Sequence, residues 1–478
     1  MVRNTRKSSF SGCSVYPVAG LCNFPQSRFP FDVRARQPLH FQDARCAGSD
    51  RPQTATAQME ERENIMKRIG WIVISALCVC ANSLGADWPQ LLGPTRNSIS
   101  PETGLLKTWP AEGPKVLWTV PLGEGFGGAA IVQGKVYVLD RIPGKQDVLR
   151  CLDVKTGKDE WTYPYDAPGN FDPPGSRCVP TVTKDRIYMI GSFGDIHCLD
   201  TATHKVVWHK NLLKEFGGKL PTWGINQSPL LYKKSVIVAP LTPQAGVAAL
   251  DPKTGDVQWK SAPLKGSMGY VSPQLAKFGG VDQVVISTDK QTAGVDAQSG
   301  KILWTYEGWQ CKIPIPSPTI IGKDQVFLTG EYGAGSAMIK IEKKGNEFAF
   351  QELFKTKVCE SQIHQPIVIG DHIYANSNGN SRREGLICMD LQGNRKWRTQ
   401  QSPNFERGNL ILADGMIYII DGAAGTLHLV KLDPASFQEV SKVKILDGEM
   451  IWAPMALSNG LLVIRDQKQM KCLDVRGK

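Results

Sequence analysis

The chain has 478 residues, 41% of them apolar and 12 of them Trp, which is enough for a sizeable core. Its 47 Gly and 31 Pro punctuate many turns and exclude a collagen-like or low-complexity chain. The net charge of +11 falls to +6 (45 basic, 39 acidic) once residues 1–68 are set aside. The remainder shows no Lys/Arg run and no basic-aromatic stripe, which argues against nucleic acid as a partner.

Residues 1–65 show no periodicity and read as an over-extended start or a disordered extension ahead of Met66. Met66-Lys67-Arg68, an apolar run from Ile69 to Ala81, and the small residues of Asn82-Ser83-Leu84-Gly85-Ala86 form the pattern of a secretory signal over 66–86. The run is short of the ~20 apolar residues of a membrane span. The expectation is a periplasmic or secreted protein with no transmembrane span after cleavage. Seven Cys follow the signal: Cys151, Cys178, Cys198, Cys311, Cys359, Cys388 and Cys472. An odd number precludes complete pairing within one chain, no pair has zinc-ligand spacing, and buried packing is expected.

After a lead-in over 87–112, residues 113–478 repeat. Cys151-Leu152-Asp153-Val154-Lys155-Thr156-Gly157 precedes Trp161, and Ala249-Leu250-Asp251-Pro252-Lys253-Thr254-Gly255 precedes Trp259. Further copies end at Asp200, Asp296, Asp390 and Asp474, and worn ones at Lys340 and Asp433, making eight units of about 41–51 residues. Each anchor follows two short alternating runs joined by a tight turn, such as Lys135-Val136-Tyr137-Val138 after Ala130-Ile131-Val132. A unit is then four strands, with Asp and Gly supplying the turn before the Trp strand. The fold class is all-β, an eight-bladed β-propeller with four-stranded blades. The last unit stops after three strands, and Lys115-Val116-Leu117-Trp118-Thr119-Val120 has the form of the missing fourth, so the N-terminal strand is expected to close the last blade.

In such a ring the loops entering each unit's first strand face the central funnel. They offer Glu124, Arg177, Trp223, Asn226, Gln227, Tyr270, Lys312, Gln362, His364, Arg407, Asn409 and Trp452 as ligand-binding candidates. Cations and aromatic planes suit a flat anion, an acidic sugar or an acidic peptide segment. The same residues also have structural readings: His364 as a hydrogen-bonded wall residue, Arg177 and Arg407 as holders of loop carbonyls. There is no Gly-x-Ser-x-Gly elbow, phosphate-binding Gly-Lys-Ser/Thr loop or His-Glu-x-x-His, and no catalytic residue or metal ligand is assigned.

The Asp-x-x-Thr-Gly-x-x-x-Trp signature, together with Trp88-Pro89-Gln90-Leu91-Leu92-Gly93-Pro94, resembles the tryptophan-docking repeat of pyrroloquinoline-quinone (PQQ)-type propellers. That resemblance covers 113–478. It implies one of two classes: quinoprotein alcohol or sugar dehydrogenases holding PQQ and calcium on the axis, or cofactor-free binding proteins like the B subunit of the outer-membrane barrel-assembly machine. The chain lacks the adjacent Cys pair and the Cys-x-x-Cys-His haem motif seen among the dehydrogenases, and no local motif matches their calcium carboxylates. The expectation is a non-catalytic module for a protein or glycan partner, bound on the funnel or a strand edge, with no cofactor. The alternative is a PQQ- and calcium-dependent dehydrogenase.

Overall fold

Eight sheets, seven of four strands and one of five, form a ring in the computed structural model, which describes residues 86–267 and 269–477. The extension over 1–65 and nearly all of the expected signal lie outside these residues. Among the described residues no helix is long and apolar enough to cross a membrane.

Blades 1 to 7 occupy 130–166, 181–211, 230–260, 274–306, 319–356, 367–398 and 410–444. Within a blade the first strand is innermost, buried throughout in Ala130–Val132, while the fourth alternates toward solvent, as in Asp159–Asp166. Blade 8 takes three strands from the end of the chain, Ala456–Ser458, Leu461–Arg465 and Gln469–Asp474, and its fourth from Lys115–Pro121. The closing pair is antiparallel, with Lys115 opposite Asp474, Trp118 opposite Cys472 and Pro121 opposite Gln469. The ring closes as the repeat count requires.

The turn chemistry explains the repeat. Asp153 accepts backbone N–H bonds from Lys155 (3.1 Å) and Thr156 (2.8 Å), and Asp251 does the same for Lys253 (2.7 Å) and Thr254 (3.2 Å). The Trp of blades 2, 6 and 8 docks on the next blade's turn through its indole N–H, whereas Trp304 of blade 4 donates to Gln283 of its own blade. Trp118 donates its indole N–H to the Val154 carbonyl (2.7 Å), Trp208 to Pro252 (3.1 Å) and Trp397 to Asp433 (3.1 Å). Gly157 and Gly255 have φ of +71° and +75°, and a Cβ on either would sit 2.7 Å from the docked indole. Where blade 2 carries His204 in place of that glycine, Trp161 stacks on its imidazole at 4.4 Å instead. Cys151, Cys198, Cys388 and Cys472 each face the docking Trp across the third and fourth strands, and all seven described Cys are buried and unpaired. The worn copy at Lys340 is a hairpin that runs on: strands Gly335–Lys344 and Glu347–Thr356 replace the Asp-Thr-Gly turn. The core is accordingly a set of slabs between blades. Tyr374 and Cys388 of blade 6, for example, pack against Leu412 and Ile417 of blade 7.

The lead-in does more than connect. Trp88, buried over Gly93, bridges Ile131 of blade 1, and the Pro89 carbonyl accepts from Val182 of blade 2 (2.8 Å). Arg96, 4% exposed, donates to Pro229 (3.2 Å) and Pro273 (3.1 Å), the residues entering blades 3 and 4. Ile99–Ser100 then adds a fifth, parallel strand inside blade 7. Glu102 accepts from the Asn459 and Gly460 N–H groups of blade 8 (2.7 Å each). Blade 3 faces blade 7 across an eight-membered ring, so the segment crosses the axis. It does so on the lower side, where the first and second strands turn.

Candidate functional site

Above the lead-in lies an axial cavity of about 520 Å³. Its wall is built in registers. Counting back from the first strand of each blade, the fourth residue is Phe126, Arg177, Asn226, Tyr270, Ile315, Ile363, Glu406 or Trp452, and all but Glu406 line the cavity. The second residue back is Val179, Ser228, Ser272, Ser317, Gln365 or Pro454, each lining it, with Gly128 and Gly408 in the remaining two blades. An extended backbone points alternate side chains the same way, so these even positions face the axis, and Trp223, Gln362, His364 and Arg407 reach it from odd ones. The serines stitch the wall across blades. The Val179 N–H donates to Ser228 Oγ (3.0 Å), the Ser228 N–H to Ser272 Oγ (2.9 Å), and the Ser317 hydroxyl to the Ser272 carbonyl (2.9 Å).

Of the sequence candidates, Arg177, Trp223, Asn226, Tyr270, Gln362, His364, Arg407 and Trp452 line the cavity. Four do not. Gln227, at an odd position, turns into its blade and pairs with the Ala239 N–H and carbonyl (2.8 Å each). Asn409, also odd, accepts from the Met455 N–H (3.0 Å) behind the wall. Glu124 and Lys312 stand exposed outside the cavity. The sequence reading passed over Tyr332 and Asn380, which come from the turns between second and third strands, and over Leu91 and Leu92 of the lead-in, which form the floor. Tyr332 and Asn380 could have been found by counting those turns as funnel-facing too. No local signal foretold the path of Leu91 and Leu92.

Four planar groups stack around half of the wall, from blade 7 through blades 8 and 1 to blade 2. The Arg407 guanidinium lies 4.3 Å from the Trp452 ring, Trp452 stacks on Phe126 at 5.3 Å, and Arg177 lies 4.7 Å over Phe126. Each cation is held. Arg407 pairs with Glu406 and donates Nη1 to Asn380 (2.9 Å) and Gln362 (3.2 Å), while the second Glu406 oxygen takes the Trp452 indole N–H (2.9 Å). Arg177 donates to the Trp223 (3.3 Å) and Pro173 (2.5 Å) carbonyls. Burial, with the nearby Arg141 charge, brings the Arg177 guanidinium down to about 10, so it stays charged at neutral pH. Among the described residues Arg407 Nη2 and Arg177 Nη1 have no protein partner, and Asn226 Oδ1 is buried in the wall without one. The lining includes one carboxylate, Asp172, on the exposed rim.

His364 is fixed as a neutral ring. Nε2 reaches the Arg407 carbonyl (3.1 Å) and so carries the proton, while Nδ1 accepts from Asn409 Nδ2 (3.2 Å). The Asn409 amide is oriented by the Met455 N–H, so a proton on Nδ1 would meet a donor. Burial lowers the imidazole pKa to about 4. The unfolded chain, with His near 6.5, therefore binds the proton first, and stability present above pH 6.5 is lost as the pH falls toward 4. His364→Gln keeps an acceptor and a donor but cannot titrate. In denaturant titrations from pH 7 to 4 it is expected to lose about 3 kcal/mol less than the wild type. Parallel curves would show that His364 is not the group responsible.

A family model described as outer membrane protein assembly factor BamB matches residues 145–399, more than half of the chain. Quinoprotein ethanol dehydrogenase of Pseudomonas putida is 27% identical over 249 residues, which cover 47% of this chain and 36% of that protein. Quinohemoprotein alcohol dehydrogenase of Comamonas testosteroni is 29% identical over 140 residues, 27% of this chain and 18% of that protein. The chain thus matches well under two thirds of the length of these curated relatives. Among solved structures, BamB from Moraxella catarrhalis superposes with a TM-score of 0.53 at 14% identity, covering 76% of this chain and 99% of that one. The quinohemoprotein alcohol dehydrogenase of Comamonas testosteroni gives 0.54 at 14% identity, with 82% and 81% covered. At such identities the likeness is one of fold. With the match running from blade 1 through blade 6 of an eight-bladed ring, the chain belongs to the PQQ-type propeller family described as outer membrane protein assembly factor BamB.

Proposed function

We propose that this propeller is a non-catalytic binding module that takes an acidic segment of a protein partner at the mouth of its axial cavity. The observation that carries the reading is the pair of guanidinium groups, each backed by an aromatic ring and each keeping one amino group free of protein partners among the described residues. A carboxylate there replaces water on a preorganised donor, a charge-assisted bond worth about 1.5–3 kcal/mol. The description of the matched family as an assembly factor favours a protein partner over a glycan. The sequence pattern over 66–86 supports a place of action outside the cytoplasm, checked by recovering the protein from the periplasmic or secreted fraction without those residues.

The second reading, a quinone-dependent dehydrogenase, is favoured by the curated relatives. Its calcium does not fit the donor set. Calcium asks for six or more oxygens including carboxylates, whereas Asp172 is the one carboxylate of the lining, and among the described residues no three His, Cys, Asp or Glu side chains converge on a metal position.

Fluorescence anisotropy with a fluorescein-labelled hexaglutamate tests the proposal. Wild-type protein is expected to bind it, and Arg407→Gln to weaken binding by about 10-fold or more. Binding that ignores Arg407, or alcohol-dependent dye reduction after adding PQQ and Ca²⁺, overturns the reading.

A further inference from the structure

We infer that residues 88–100 are an axial plug that makes the cavity blind, and that Leu91 and Leu92 on its upper side select a partner segment in which an apolar side chain stands between two acidic ones. The inference rests on the binding reading above and adds the sequence chemistry of the partner.

The plug follows from where the lead-in makes its bonds. Arg96 reaches the carbonyls entering blades 3 and 4, and two residues later the Ser98 carbonyl accepts from Leu412 of blade 7 (2.9 Å), on the opposite side of the ring. Chain this short cannot go round the rim, so it spans the axis. Arg96 is 4% exposed there and burial lowers its guanidinium to about 10, so the axis at this level is filled by protein, not water. Gln90 Oε1 takes a further bond from Arg96 Nη1 (3.2 Å), locking the Leu91–Leu92 turn to the same anchor. Anything entering the cavity therefore comes by the upper mouth and ends on leucine.

The wall is asymmetric in a way that orients an entering segment. The stacked ladder carries a cation at each end, Arg407 from blade 7 and Arg177 from blade 2, whereas blades 5 and 6 contribute Ile313, Ile315 and Ile363. An acidic side chain pushed to the floor would lose its hydration against Leu91 and Leu92 without a donor. An apolar one removes both itself and the leucines from water. A segment crossing the mouth meets both requirements when its acidic residues reach the two guanidiniums and an apolar residue between them drops to the floor.

Two measurements on the full chain test this. The first compares fluorescein-labelled Glu-Gly-Phe-Gly-Glu with the same peptide carrying Ser for Phe. Wild type is expected to bind the Phe peptide about 10-fold more tightly, and the uncharged Leu91→Asn to erase that difference. Equal affinities for both peptides, with Arg407 still required, overturn the floor inference and leave the binding reading standing. Failure of the hexaglutamate and of both peptides overturns the binding reading and the selectivity with it.

The second measurement needs no partner. In Leu91→Cys the new thiol is alkylthiolated with anionic sulfonatoethyl or cationic trimethylammonioethyl methanethiosulfonate, and the peptide containing residue 91 is followed by mass spectrometry. Entry past Arg177 and Arg407 is expected to favour the anionic reagent about 10-fold, and Arg407→Gln to cut that ratio severalfold. A ratio indifferent to Arg407 means the reagent arrives from the lower side, and no labelling means residue 91 is not the floor. Either result overturns the plug.

Discussion

Trp118→Ala is expected to lower the unfolding free energy by about 3–5 kcal/mol in denaturant titration, the cost of emptying a large buried aromatic site. Trp118 is the docking residue of the closing strand. It is buried, donates to the Val154 carbonyl, and lies against Gly157, where no side chain could share the space. Its loss also frees Lys115–Pro121 from Gln469–Asp474, so amide exchange across that pair should accelerate before exchange elsewhere. The comparison that decides is Trp161→Ala in blade 1. Trp161 is half-buried and stacked on His204, and its removal is expected to cost about 1–2 kcal/mol. If the two variants cost the same, the closing strand has no special role in holding the ring.

A change of similar size is expected at the seam of blades 1 and 2. Arg141 and Asp147 form a fully buried pair at 2.6 Å, with side-chain exposures of 1% and 0%. The Tyr165 hydroxyl donates to the second Asp147 oxygen (2.9 Å), and Arg141 also serves the Ala167 (3.1 Å) and Gly169 (2.6 Å) carbonyls. Asp147→Ala leaves a buried cation without its counter-charge and is expected to cost about 3–5 kcal/mol. Burial pushes the Asp147 carboxyl above its ordinary range even with Arg141 and Tyr165 bonded to it. The pair is therefore expensive to break but not a large net source of stability. Arg141→Met combined with Asp147→Leu is expected to recover most of the loss. A double variant as unstable as Asp147→Ala alone would show that the pair's bonds to the loop carbonyls, not the unpaired charge, carry the cost.

The ring was legible because its local chemistry repeats. Asp153, Asp200, Asp251 and Asp296 each had to accept turn N–H groups, and Trp118, Trp208 and Trp259 each had to find a bare glycine, so the spacing of Asp, Gly and Trp carried the blade count. Gaps in the pattern were informative as well. The Lys340 copy lacked its turn because that hairpin is extended, and His204 stood where Gly was expected because an imidazole can stack on Trp161. The cavity was half legible. Entry loops could be recognised, but not which of their side chains reached the axis, so Gln227 and Asn409 were grouped with Asn226 and Arg407. Exposed Glu124 and Lys312 were chosen for charge alone. The plug was legible only in part: Trp88-Pro89-Gln90-Leu91-Leu92-Gly93-Pro94 stood out as a motif, but the Arg96 bonds to the Pro229 and Pro273 carbonyls join distant blades and leave no spacing signal.

Sharing a blade between the two ends of the repeat array also sets an order of events. Trp118 is synthesised ~350 residues before Cys472, its strand partner, so its edge stays without a mate until nearly the whole domain has left the ribosome. Seven sheets can form from neighbouring segments, while the eighth waits on the longest loop closure in the molecule. Ring closure is thus expected to come last, and a chain arrested before Gln469 presents an open edge to whatever strand it meets first.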